Sequence, residues 1–303
     1  MTSSERLEWL KARQTGIGGS DVAAILGLSK WRTPLDIYNS KIADDPIEES
    51  NPSIEWGNRL EPVIRQKYAD ETGLPVTIPN KTFRHPDYPF MIANVDGLLP
   101  DGAVLEIKTA RSGTDWGEEG TDEIPEYYLT QVQHYMTVVG AKMCDVAVLI
   151  GASDFRIYHV DFDPEIAAML IEEEKAFWQR VIDRNPPAPR TYAEASIAFP
   201  RSKANSVEAT DEILNDAAEL ESVNRQIEEL KARKEELQGT ITSFMGESDT
   251  LALCGKTIAT WKTSKPRVTF DSAAFKAKHP DLYAQYLKEG VASRRFLLKI
   301  KSE

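Results

Sequence analysis

Residues 96–110 read DGLLPDGAVLEIKTA, and how this stretch is folded decides the architecture of the chain. The turn signal Pro100-Asp101-Gly102 separates two apolar runs, residues 90–99 (FMIANVDGLL) and 103–109, which predicts a pair of strands joined by a tight turn. Side chains alternate along a strand, so Glu106 and Lys108 project to one face while Leu105, Ile107 and Thr109 project to the other. Charges set among apolar neighbours are costly unless something pairs with them. With the two strands antiparallel, Asp96 lies beside the Glu106/Lys108 pair and the Ile107 carbonyl lies close to both carboxylates. Two carboxylates and a carbonyl are hard oxygen ligands of the kind that Mg²⁺ or Mn²⁺ takes. Lys108 is then placed to position or deprotonate a metal-bound water and to stabilise charge building on a phosphorus centre. The bland alternative is a surface hairpin with an exposed ion pair; the apolar surroundings of the charges count against it.

Outward from this hairpin, residues 53–72 (SIEWGNRLEPVIRQKYADET) form an amphipathic helix ending at Gly73 and carrying Glu61, which could add a third carboxylate. A further strand is expected at about 75–84. Upstream, RQTGIGGSD (13–21) sets Arg13 before a glycine-flexible turn that opens a short helix, SDVAAILGL, capped by Ser20 or Asp21. A guanidinium, a hydroxyl and free helix amides suit an anion, although a plain N-cap needs the same residues. Downstream, EIPEYYLTQVQHYMTVVG (123–140) reads as a helix closed by Gly140, with Tyr128 and Gln131 on one face and His134 and Tyr135 following. Strands within 145–163 and a helix from Pro164 to about Asp183 complete the order. The fold class is α/β: a mixed central sheet flanked by helices.

Four prolines among small polar residues mark 186–206 as a linker between a first domain, 1–185, and a C-terminal region, 207–303. There Ile213, Leu220, Val223, Ile227, Leu230, Leu237, Ile241 and Phe244 follow alternating steps of three and four, broken by Asp216 and Lys234. This predicts a helical arm ~57 Å long at 1.5 Å per residue, packing back on its own domain or the final strands, with a coiled-coil contact as the alternative. The remainder reads as a small sheet around one short helix.

The chain has 303 residues and a net charge of -12, yet residues 251–303 hold eleven Lys/Arg against four Asp/Glu, so this basic α+β tail is compatible with a DNA-contacting surface. Two cysteines exclude an iron–sulfur cluster and a four-thiolate zinc site. No apolar run spans a membrane, and MTSSERLEWLKARQ is not a signal sequence, so a cytoplasmic location is expected.

Four blocks, RQTGIGGSDVAAILG, EWGNRLEPVIRQKYADETG, IANVDGLLPDGAVLEIKTA and YYLTQVQHYMTVVG, resemble in order and spacing the YqaJ-like viral recombinases and phage lambda exonuclease, within the PD-(D/E)xK nuclease superfamily. Val95-Asp96 stands where the superfamily usually has Pro-Asp. The resemblance covers about residues 10–185 and implies a restriction-endonuclease-like core in a phage or prophage protein of a bacterial host. It implies a Mg²⁺-dependent exonuclease that digests one strand of linear duplex DNA from its 5′ end, leaving a 3′ overhang for a single-strand annealing protein. It implies Glu61, Asp96, Glu106 and the Ile107 carbonyl as metal ligands, and Lys108 orienting the attacking water. Gln131, with Tyr128, would line the site near the scissile phosphate, and Arg13 and Ser20 would hold the terminal 5′ phosphate. Homo-oligomers occur in the family. Rival expectations are an endonuclease cutting duplexes internally and a non-catalytic DNA-end-binding module; a Cas4-like nuclease lacks its cysteine cluster here.

Overall fold

A computed structural model describes residues 3–46, 51–288 and 294–299. It divides into two compact units, residues 1–194 and 195–303. The first unit begins with α1 (Ser3–Gln14), β1 (Ile17–Gly18), α2 (Gly19–Leu26), α3 (Pro34–Ile42) and α4 (Pro52–Thr72). The strands β2 (Phe83–Arg84), β3 (Met91–Ala93), β4 (Gly97–Leu98) and β5 (Val104–Ala110) follow. It ends with α5 (Glu126–Val139), β6 (Met143–Ile150), β7 (Asp154–Asp161), α6 (Pro164–Ile182) and the start of α7 (Tyr192–Ala198).

The main sheet runs β4-β5-β6-β7, with β5 and β6 parallel and the outer pairs antiparallel; a smaller sheet runs β1-β3-β2. Parallel neighbours need a crossover, and α5 supplies it. The alternation expected of β5 sorts its residues onto two cores. Leu105 and Ile107 pack with Ile64 and Tyr68 of α4, whereas Val104 packs with Val132 and Met136 of α5. Glu106 and Lys108, in step with Val104, therefore face α5. A third core joins α2, α3 and α6 through Val22, Ile37 and Leu170.

The turn after β4 forms as expected, with the Gly102 amide donating to the Leu99 carbonyl and the Leu99 amide to the Ala103 carbonyl. The strand expected over 90–99 is instead two. It breaks at Asn94–Asp96, β3 joining the small sheet and β4 the large one, so Asp96 sits in the crossing between them. Gly97 permits this, because a Cβ there would lie 2.4 Å from Val76 Cγ1. Of the strand expected over 75–84 only β2 and a bridge from Thr77 to Leu98 exist. The cap of α2 is Gly18, not Ser20 or Asp21, because Asp21 in the first turn accepts the Gly18 amide at 3.1 Å.

The expected linker contains α7. Its start is a reciprocal cap: Thr191 Oγ1 accepts the Glu194 amide and Glu194 Oε2 accepts the Thr191 amide, while Thr33 Oγ1 donates to Glu194 Oε1. That contact ties the segment to the first unit.

In the second unit α8 (Asp211–Met245) is a single 35-residue helix capped by Thr210. A hairpin of β8 (Thr250–Leu253) and β9 (Lys256–Thr260) follows, then two short helices, α9 (Ser272–Lys278) and α10 (Pro280–Gln285), where one was expected. Residues 294–299 carry no strand, and residues 300–303 of the last expected strand lie outside the described residues, as does Glu289. The apolar seam of α8 is exposed, from 38% at Leu220 to 81% at Phe244, so among the described residues of the second unit the expected packing on the final strands is not met. No helix among the described residues is long and apolar enough to cross a membrane.

Candidate active site

One open cleft of about 2770 Å³ in the first unit is lined by both groups of residues singled out in the sequence. On one side stands the pair from β5. Lys108 Nζ donates to Glu106 Oε1 at 2.5 Å and to Gln131 Oε1 at 3.0 Å, and Gln131 Nε2 donates to Glu106 Oε1 at 2.7 Å. Gln131 reaches them because α5 covers that face of β5; Tyr135, one turn on, accepts its second amide proton at 3.0 Å. The Lys108 ammonium lies 4.6 Å from the centroid of the Tyr128 ring, a cation–π contact. Asp96 accepts the Ile107 amide at 2.8 Å, which fixes its carboxylate against the middle of β5.

The electrostatics of this group are those of a site waiting for positive charge. Burial, and then the neighbouring Glu106, push the Asp96 carboxyl well above its ordinary range. Glu106 is raised by burial in spite of Lys108. Lys108 is half-buried and loses hydration, but the Glu106 carboxylate outweighs that loss and keeps it an ammonium. Glu106 Oε2 is buried with no hydrogen-bond partner. A buried and a half-buried carboxylate side by side, one of them with an unsatisfied oxygen, are a donor set that a divalent cation fits.

Glu61 stands apart. It projects from α4, which packs on the opposite face of β5, and it takes an ion pair from Arg65, whose Nε donates to the Asp96 carbonyl at 3.2 Å. Its charge still reaches the site, raising both Asp96 and Glu106. Among the described residues no three His, Cys, Asp or Glu side chains converge as a metal cluster. Glu61 lines the same cleft as Asp96 and Glu106, but the three carboxylates expected from the sequence do not close into one cluster, and Glu61 is paired with Arg65. Arg65 was not singled out in the sequence; its position one helical turn after Glu61 was the available signal.

On the other side of the cleft Arg13 donates to Ser20 Oγ at 2.7 Å, as the pairing of the two residues anticipates. What the sequence did not reveal is the buried carboxylate beneath them. Asp21 is paired with Lys41 at 2.6 Å, Arg32 at 3.5 Å and Arg13 at 3.7 Å. Burial alone would raise it, but Lys41, Arg13 and Arg32 together hold it far below the usual carboxylate range. Lys41 and Arg13 around this one carboxylate put net positive charge beside the N-terminus of α2. Gly19 lets that helix end meet α5, since a Cβ would lie 2.6 Å from Tyr135 Cε1. The Arg13–Ser20 region and the carboxylate–lysine group are thus fixed to the same helix, α5.

His134, also on α5, is structural. Its ring is wholly buried, 2.8 Å from Glu174 Oε1 and 2.9 Å from the Ile92 carbonyl, pinning α5 to α6 and β3. Burial pulls its pKa down, but these two acceptors outweigh it and the net shift is upward.

The first unit has the fold of an alkaline exonuclease, LHK-Exo from Laribacter hongkongensis. The two share a TM-score of 0.51 and 23% identity over 59% of this chain and 93% of that one. The same enzyme in complex with dAMP gives a TM-score of 0.50 at 23% identity, with the same coverage. Residues 8–142 match the YqaJ-like viral recombinase domain. The chain is 33% identical to YqaJ of Bacillus subtilis strain 168, over 97% of its own length and 94% of that relative's. With identity sustained along nearly the whole of both chains, this protein belongs to the YqaJ-like viral recombinase family.

Proposed function

We propose that the protein is a divalent-cation-dependent exonuclease that degrades one strand of linear duplex DNA from its 5′ end. The 3′ overhang left behind would be the substrate of a single-strand annealing protein. The observation that carries this reading is a single cleft holding both a carboxylate–lysine site and, across from it, a cationic pocket built on Arg13 and Ser20. Family membership supports a role in phage-type recombination, and the fold of the first unit is one on which an exonuclease is built.

Asp96 and Glu106, with the Ile107 carbonyl and with Glu61 once released from Arg65, would hold Mg²⁺, or Mn²⁺ in its place. The cation supplies Lewis acidity and lowers the pKa of bound water. Gln131 fixes Glu106 Oε1 and leaves Oε2 free for the cation. Lys108, an ammonium in this setting, orients the attacking water and offsets charge on the phosphorane oxygens rather than removing a proton itself. Tyr128 sits beneath Lys108 and lines the path of the strand. Arg13 and Ser20 take the terminal 5′ phosphate, with Lys41 and Arg32 enlarging the positive field. Docking of that end sets the polarity of digestion. The basic residues of the C-terminal tail would add a second DNA surface.

The test uses end-labelled linear duplexes carrying a 5′ phosphate or a 5′ hydroxyl, closed circular DNA, Mg²⁺, and wild type beside Lys108→Ala. Degradation of the phosphorylated linear substrate from its 5′ end by wild type alone, with the circle intact, is expected. Cutting of the circle would replace this reading with an endonuclease, and no cutting with either Mg²⁺ or Mn²⁺ would replace it with a DNA-end-binding module.

A further inference from the structure

The exposed seam of α8 is a heptad repeat. Ile213, Leu220, Ile227, Lys234 and Ile241 occupy one of its two positions, and Asp216, Val223, Leu230, Leu237 and Phe244 the other. A strict seven-residue spacing keeps an apolar stripe in step with a second helix supercoiled around it, which a helix lying on a globular surface does not need. Among the described residues of its own unit the stripe has no such partner: Ile213 is 54%, Leu230 69% and Leu237 46% exposed. Asp216 and Lys234 are exposed as well, and neither forms an ion pair among the described residues.

We propose that α8 is the contact between two copies of this chain, paired as an antiparallel coiled coil whose two-fold axis passes at the level of Arg225. The occupant and the direction follow from the two charges that interrupt the seam. In antiparallel pairs each residue of one seam position meets a residue of the other position on the partner helix. With the axis at residue 225, Val223 meets Ile227, Leu220 meets Leu230, and Ile213 meets Leu237. In the same register Asp216 meets Lys234, at both ends of the overlap. Every apolar seam residue from 213 to 237 then faces an apolar one, and each charge faces its opposite. A parallel, in-register pair would set Asp216 on Asp216 and Lys234 on Lys234, two like-charge contacts inside a seam. The flanking charges agree with the antiparallel choice: Arg233 of one helix comes beside Glu212 and Glu219 of the other, with no like-charge pair opposed to them. Charged seam residues of this kind fix register and orientation at a cost in stability.

Disulfide trapping in the full-length protein tests the register, with Cys254, the exposed cysteine, replaced by Ser throughout. The probes are Leu220→Cys and Leu230→Cys, alone and mixed. The mixture should cross-link under mild oxidation and each variant alone should not. Either variant cross-linking alone as readily as the mixture would overturn the antiparallel register. Absence of any cross-link would overturn the pairing. A charge cycle gives an independent readout that does not depend on association through the first unit. Asp216→Lys or Lys234→Asp alone should slow cross-linking of the mixture, and the double exchange should restore it. Failure of the double exchange to restore it, with both single variants keeping wild-type helix content by circular dichroism, would also overturn the proposal. None of these outcomes bears on DNA digestion, so the exonuclease reading stands or falls separately.

Discussion

The two units of the chain place charge and apolar surface in opposite ways. In the first, Asp21 and Glu106 are buried at 1% and 3% exposure while the apolar residues close over three cores. In the second, the charges of α8 lie in solvent and so do its large apolar side chains, with Leu230 at 69%. A buried charge is expensive and an exposed apolar stripe is exceptional, so each calls for a partner. Asp21 finds its partners inside the unit, in Lys41, Arg13 and Arg32; the partner proposed for Glu106 is a cation, and the one proposed for α8 is another helix.

The comparison is broken most directly by neutralising equivalent residues in the two settings. Asp21→Asn removes the carboxylate shared by Lys41, Arg13 and Arg32, and should cost about 3–5 kcal/mol in urea unfolding because it takes the partner from the buried Lys41 ammonium. The Asp21 contribution is also pH-dependent. Its folded pKa is depressed, so that stability is present above the unfolded carboxylate value and fades as pH falls through it toward the folded one. An acid titration of unfolding free energy should show this slope in wild type and not in Asp21→Asn.

Lys108→Ala should lower the rate of DNA digestion by about 10²–10³, the range for removing one preorganised group that stabilises charge in a transition state. A single-turnover assay at saturating DNA separates this from weakened binding. Cation binding itself has a stability signature. The raised Asp96 and Glu106 stabilise the cation-free fold when protonated, and that contribution is lost as pH rises through their folded values. At neutral pH, Mg²⁺ at a hundred times its Kd should restore about 2.7 kcal/mol. Asp96→Asn should shrink that gain, and an unchanged Mg²⁺ response would remove Asp96 from the cation site. The smallest effect belongs to the arm. Asp216→Asn should change unfolding free energy by less than about 0.5 kcal/mol in dilute protein, because an exposed side chain loses little. A loss as large as that of Asp21→Asn would erase the contrast between the units.

Part of this molecule was legible in the sequence because its signals are local. The alternation of β5 put Glu106 and Lys108 on one face, the Pro100-Asp101-Gly102 turn returned the chain beside them, and Gly73 and Gly140 ended α4 and α5. The cap that starts α7 was equally local, since Thr191 and Glu194 stand three apart, but the prolines around it made the segment read as a linker.

By itself, then, the sequence determined which side chains share a face, where helices stop, and that α8 carries a seven-residue seam, because each depends on the geometry of a few consecutive residues. Only the tertiary structure decided that Gln131 meets Lys108, that Asp21 gathers Arg13, Arg32 and Lys41, that Arg65 pairs with Glu61 and reaches the Asp96 carbonyl, and that the seam of α8 is left uncovered within its own unit. With Glu61 and Arg65 the choice lay in how α4 is seated across β5. With the other sets the partners come from elements far apart in the chain, and which of them meet is fixed by how helices and sheets pack, an outcome of the whole core.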